Sequence, residues 1–194
     1  MAQLTSKSRK GVDVFWAEMA ACEHCVQIYD SEAVFLDALE GFVAAGLRQN
    51  EACILIATTP HLLALSERLL RSGVDLGTAL ANDQFIALDA QTTLATFMQD
   101  GWPDEALFLA FVTKLLGRVR PRYPQVRAFG EMVALLWANG EHAATIRLEH
   151  LWAKLCKSEE FSLFCAYPRA GFTQDADQSM MDVHLAHSLV FNEA

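Results

Sequence analysis

Between residues 127 and 168 the chain reads RAFGEMVALLW, then RLEHLWAKLC, then FSLFCAYP. The pattern is strand, helix, strand, and the strands carry apolar residues at successive positions. Such strands are buried on both faces of a sheet. Three charged residues, Arg127, Glu131 and Glu149, interrupt these apolar lines. A charge inside a buried element is costly unless it is paired or used. The segment therefore restricts the architecture and marks the first place to look for a site.

The alternation extends in both directions. Asp30 and Ser31 offer caps for a helix with apolar positions Phe35, Leu39, Phe42 and Val43, which Gly46 would stop. ACILIAT, 52–58, reads as a buried strand. Thr59 can then cap a helix with Pro60 in its first turn, Leu62, Leu63, Leu69 and Leu70 on its apolar face, and Gly73 at its end. QFIALD, 84–89, reads as a second strand, and residues 91–99 and 104–118 as helices. Residues 125–136 begin as a third strand, 141–157 are helical, 161–167 form a fourth strand, and the tail from Asp175 is helical. Residues 1–21 form a weakly patterned lead-in, apart from VFWAEMAA, and 22–194 one domain without linker or repeat. The expected fold is α/β, with a mostly parallel central sheet and helices on both faces. Ligands bind such sheets beyond the carboxyl ends of the strands. Those ends carry Thr58, Thr59, His61, Asp89, Glu131 and Tyr167.

The 194 residues are 53% hydrophobic with a net charge of -9, enough apolar material for a sizeable core. No basic cluster stands out except RVRPRYPQVR, 118–127, too narrow for a nucleic-acid face. The apolar runs are too short to cross a bilayer, and MAQLTSKSRKG is no secretory signal. A cytoplasmic location with reduced cysteines is expected. The turn ATTPHLLAL lacks the glycines and lysine of a phosphate loop, and Pro60 removes an amide donor. A capping Thr59 at a helix start still suits a small anion or a polar head group. No GxSxG, HExxH or paired CxxC occurs, so no catalytic residue and no cofactor are expected.

Individual residues carry two readings each. Glu131, after Gly130, can accept hydrogen bonds from a ligand, pair with Arg127 or cap a helix. Arg127 can clamp a carboxylate or pair with Glu131 or Glu149. Cys22, His24 and Cys25 can hold a soft transition metal or act as a redox pair, or His24 can simply hydrogen bond. A closed metal site there would need His61, His142 or His187 from far away in sequence. Tyr29 and Tyr167 suit a pocket rim or the core, and Trp102, Trp137 and Trp152 suit the core. His184 and His187, three apart on one helix face, have no carboxylate nearby in sequence and read as surface or capping residues.

Taken in order, His24-x4-Tyr29, Gly46-Leu47, Arg127-x2-Gly130-Glu131-Met132, Trp137, Leu148-Glu149 and Cys165-x-Tyr167 form a series. The series resembles the MEDS family, the sensory domain described for methanogens and methylotrophs, over roughly residues 22–190. The resemblance implies a RecA/KaiC-like three-layer sandwich without its phosphate loop. It also implies a non-catalytic sensory role, binding small organic or hydrocarbon-derived compounds. The output implied is a partner protein such as a histidine kinase or a transcription regulator, and a homodimer fits that arrangement. By carry-over, His24, Tyr29, Arg127, Glu131 and Glu149 are the positions of interest. The competing readings are a redox or metal switch on Cys22, His24 and Cys25, and a degenerate NTPase-like enzyme with Glu131 as base.

Overall fold

The computed structural model describes residues 15–172 and 176–191. After a helical turn at 15–18, the chain runs β1 (His24–Tyr29), α1 (Glu32–Arg48), β2 (Ala52–Ala57), α2 (Thr59–Arg71), α3 (Leu76–Ala81) and β3 (Phe85–Asp89). It continues with α4 (Ala90–Ala95), the short strands β4 (Met98–Gln99) and β5 (Trp102–Pro103), α5 (Glu105–Val119) and β6 (Val126–Gly130). Then come α6 (Met132–Ala138), α7 (His142–Glu159), β7 (Ser162–Pro168), α8 (Ala176–Leu185) and β8 (Leu189–Val190). Six strands make one sheet in the order β3-β2-β6-β7-β1-β8, and every pairing in it is parallel. This is the expected mostly parallel α/β architecture.

Side chains alternate across each strand, so the sheet has two apolar faces. On one face Cys25, Cys53, Leu55, Phe129 and Phe164 pack with Trp16, α1, α2 and α3. On the other, Val26, Ile54, Ile56, Ala128, Leu163, Cys165 and Tyr167 pack with α4 to α8. All six residues of β2 are buried, as its uninterrupted apolar run requires.

Several expectations need correction. β1 and β8 were not legible as strands. HCVQIY has polar residues at His24 and Gln27, and β8 is two residues long. ACILIA is therefore the second strand, and the first strand-to-helix turn is Tyr29-Asp30-Ser31-Glu32. That turn also lacks glycine and lysine. Ser31 caps α1, accepting from Val34 N at 3.4 Å, but the helix does not stop at Gly46. Gly46 lies against Arg127 and Cys53, where a Cβ would come within 2.8 Å of the Arg127 Cδ and the Cys53 Sγ. The glycine is there for close approach, not termination. Helix α3 was missed although Asp75 caps it, accepting from Thr78 N at 3.0 Å. The expected helix over 91–99 ends at Ala95, because Asp100 and Gly101 take positive φ and turn β4 back onto β5. Trp102 is 47% exposed there rather than in the core. The strand at 125–136 ends at Gly130, where α6 takes over. Residues 1–14 of the lead-in and Asp175 lie outside the described residues, whereas Trp16 is fully buried.

Candidate functional site

Strands β2 and β6 are neighbours, with Ile56 opposite Gly130. One residue further, Glu131 N–H extends the ladder to the Ile56 carbonyl at 2.8 Å. Its carboxylate then crosses to the start of α2. Thr58 N–H donates to Oε2 at 2.7 Å, and the Thr58 hydroxyl lies 3.4 Å from Oε1. His61 Nδ1 lies 2.8 Å from Oε1, and its Nε2 is 3.9 Å from Glu32 Oε1. Phe35 meets the imidazole edge-on at 5.0 Å, and Tyr29 stacks on Phe35 at 4.9 Å. Beside them Thr59 Oγ1 donates to Asp89 at 2.9 Å, and Asp89 caps α4.

The structure thus brings Tyr29, Thr59, His61 and Glu131 to one edge of the sheet, together with Thr58, Glu32 and Asp89. The hydrogen bond to Glu131 raises the His61 pKa above its ordinary value. Burial, then the negative charges of Glu131 and Glu32, push the Tyr29 hydroxyl up to about 12. Thr58, not Thr59, holds the N-cap position, and its side chain makes no capping bond. The Glu131 carboxylate itself occupies the anion position at the helix start. A second anion would meet like charge, so the edge suits a neutral or cationic polar group. The space beside Gly130 is filled by the Trp152 indole, 3.6 Å from where a Cβ would stand.

Arg127 does not join this edge. It lies on the same face of β6 as Glu131, but four residues along an extended strand span about 13 Å. Its buried guanidinium binds Glu51, Gln49 Oε1 at 3.0 Å and the Trp16 carbonyl at 2.7 Å. The expected pairing with Glu131 or Glu149 is therefore replaced by Glu51. Glu149 is out of reach on the other face of the sheet.

That other face holds a second polar cluster. Glu149 on α7 is fully buried and accepts a hydrogen bond from the Tyr167 hydroxyl. Its Oε2 lies 3.4 Å from His24 Nε2, 3.4 Å from His187 Nε2 and 3.8 Å from Cys165 Sγ. His24 Nε2 lies 3.3 Å from Cys165 Sγ, and the two imidazoles pack with centroids 3.9 Å apart. Burial and then the neighbouring His187 lower the His24 pKa well below its ordinary value. Tyr167 is thus an interior residue, not a rim residue. Cys25 points to the opposite face from His24, as adjacent strand residues must, and Cys22 precedes the strand. The cysteines flanking His24 do not converge with it. Sequence named His187 among three distant histidines that could join His24; the partners of His24 that it missed are Cys165 and Glu149. The hint was a histidine noted in the tail, but its carboxylate is 38 positions away (187 − 149).

The MEDS family model, described as the methanogen/methylotroph, DcmR sensory domain, matches residues 23–185. The chain belongs to the MEDS family. MEDS is a sensory domain family, which places the chain among signalling proteins. No curated protein matches the sequence. Among solved structures, a Pyrococcus horikoshii OT3 protein, the subject of a structural study, is similar with a TM-score of 0.58 at 10% identity. The similarity covers 92% of this chain and 85% of that one. The DUF1998 helicase MrfA, solved with DNA and AMPPNP, is similar with a TM-score of 0.53 at 8% identity. That match covers 95% of this chain and 26% of the helicase. At such identities the likeness is one of fold. No described helix is long and apolar enough to cross a membrane.

Proposed function

We propose that this MEDS domain is a non-catalytic sensor that binds a small, neutral or cationic organic molecule at the strand edge around Glu131. The observation that carries the reading is the Glu131–His61 pair at the junction of β2, β6 and α2, with Tyr29 beside it. Glu131 is a hydrogen-bond acceptor, Glu32 lies 3.9 Å from the far nitrogen of His61, and His61 is only partly buried. A ligand O–H or N–H donating to Glu131 competes with His61, and the half-buried Tyr29 ring offers the apolar part of the molecule a surface. Because His61 stands in the first turn of α2, exchanging its partner alters how that helix seats on the sheet. The altered helix passes the signal to a partner protein, such as a histidine kinase or a transcription regulator. His24, Arg127, Glu149 and Tyr167 act in support, holding the sheet beneath the edge.

The test is thermal stability against a panel of short alcohols, amides and amines. A ligand of the folded state raises the melting temperature with concentration. At least one neutral or cationic compound is expected to do so, and Glu131→Gln to lose the effect while keeping the fold. A panel without effect on the wild type, or equal stabilisation of Glu131→Gln and Tyr29→Phe, overturns the reading.

A further inference from the structure

We propose that His24, Glu149, Cys165 and His187 form a buried binding site for one divalent transition-metal ion of the zinc class. Four observations on this cluster agree. The four donor atoms lie within 4.8 Å of one another, all from buried residues. Four of the six pairwise separations, 3.3, 3.4, 3.4 and 3.8 Å, are close to the edges of a tetrahedron. An ion with metal–donor bonds of about 2.1 Å spans donor–donor edges of about 3.4 Å.

The third observation is the orientation of His187. Its Nδ1 lies 2.7 Å from the Val183 carbonyl, which can only accept, so Nδ1 carries the hydrogen. In the neutral ring Nε2 then presents its lone pair to the cluster. That atom is buried and makes no hydrogen bond. An acceptor 3.4 Å from a buried carboxylate oxygen is unfavourable, and a cation between them removes the conflict. A backbone carbonyl holding the remote nitrogen is also the usual support for a metal-binding histidine. The fourth observation is the Tyr167 hydroxyl, which fixes the Glu149 carboxylate from behind.

The donor set selects the ion. Two imidazoles, one thiolate and one carboxylate suit zinc and its neighbours, whereas calcium and magnesium take oxygen ligands. Two neutral imidazoles with a thiolate and a carboxylate bring a dipositive ion to net zero charge, which a dry interior tolerates. The donors come from β1, α7, β7 and the segment before β8, so one ion would tie four separated parts of the chain. The site lies on the opposite face of the sheet from His61 and Glu131, and its existence is independent of the sensor reading.

The experiment is titration of the chelator-treated full chain with Zn2+, followed by calorimetry, and with Co2+, followed by absorption. One equivalent should bind, and the cobalt form should show intense tetrahedral bands with a thiolate charge-transfer band. Cys165→Ser should abolish that band, and Tyr167→Phe should weaken affinity roughly 10–100-fold. Cys22→Ser should leave both unchanged. A wild-type cobalt spectrum without a thiolate band overturns the proposal, whatever the variants do. So does binding that survives unaltered in Cys165→Ser and His187→Gln. Circular dichroism of each apo variant separates lost ligands from lost fold.

Discussion

Both oxygens of the Glu131 carboxylate already have protein partners, so the residue's behaviour depends on which of them a change removes. His61 is the titratable one, and its pKa is raised chiefly by the Glu131 hydrogen bond. A group whose pKa is higher folded than unfolded stabilises the fold fully below its unfolded value, about 6.5 for histidine. The contribution is lost as pH rises through the folded value. The melting-temperature gap between wild type and His61→Gln should therefore be widest near pH 6 and close as pH is raised. A gap that widens with pH would refute the pairing. Arg127 makes the opposite case, a buried charge spent entirely on the fold. Removing it strands Glu51 and leaves the Trp16 carbonyl and Gln49 without their donor. Arg127→Ala should cost about 3–5 kcal/mol in urea unfolding. A loss under about 1 kcal/mol would mean that water or a neighbour replaces the guanidinium.

At the scale of elements, α1 shows a conflict between propensity and packing. Gly46→Ala should gain about 1 kcal/mol of helix propensity. Against that, the new methyl would stand 2.8 Å from both Arg127 Cδ and Cys53 Sγ. Overpacking of this kind costs about 1–3 kcal/mol, and neither neighbour is free to move, because Arg127 is held by several hydrogen bonds. The variant should be less stable in urea unfolding, and a gain would show that the helix shifts at little cost. The same residue explains what sequence could and could not reveal. Elements with strong local signals were legible: β2 as an apolar run, α2 by its Thr-Pro start, α5 over 104–118. Where tertiary contact decides, local rules failed. Gly46 reads as a stop until Arg127 is seen beside it. HCVQIY reads as no strand until His24 is seen facing Glu149 and Cys165. The edge residues His61 and Glu131 were legible because strand ends converge in any parallel sheet, whereas Tyr29 entered through the family resemblance, its strand being unread. The open option of an Arg127–Glu131 pair fails because four residues along a strand stand about 13 Å apart.

On the scale of the whole molecule, the two ends of the described chain close on each other. Trp16 packs against Phe191 with centroids 4.8 Å apart, and against Phe42 and Phe164 beneath. Phe191 N–H donates to the Val26 carbonyl at 2.7 Å, so β8 and its flank cover β1. Without that cover β1 becomes a sheet edge carrying unpaired backbone groups. The segment also positions His187 in the buried cluster. Phe191→Ala should cost about 3–5 kcal/mol, a large share of a typical 5–15 kcal/mol domain stability. Its effect should be regional, since opening of the cover exposes residues 15–18 and β1 together while β2 and β3 stay paired at the far side of the sheet. Hydrogen exchange checks this directly. Amides of β1 and β8 should exchange faster in the variant by a common factor, with those of β3 changed only by the global loss. Equal acceleration in every strand would mean that the cover unfolds only with the entire domain, and that the two ends are part of one cooperative core rather than a closure laid over it.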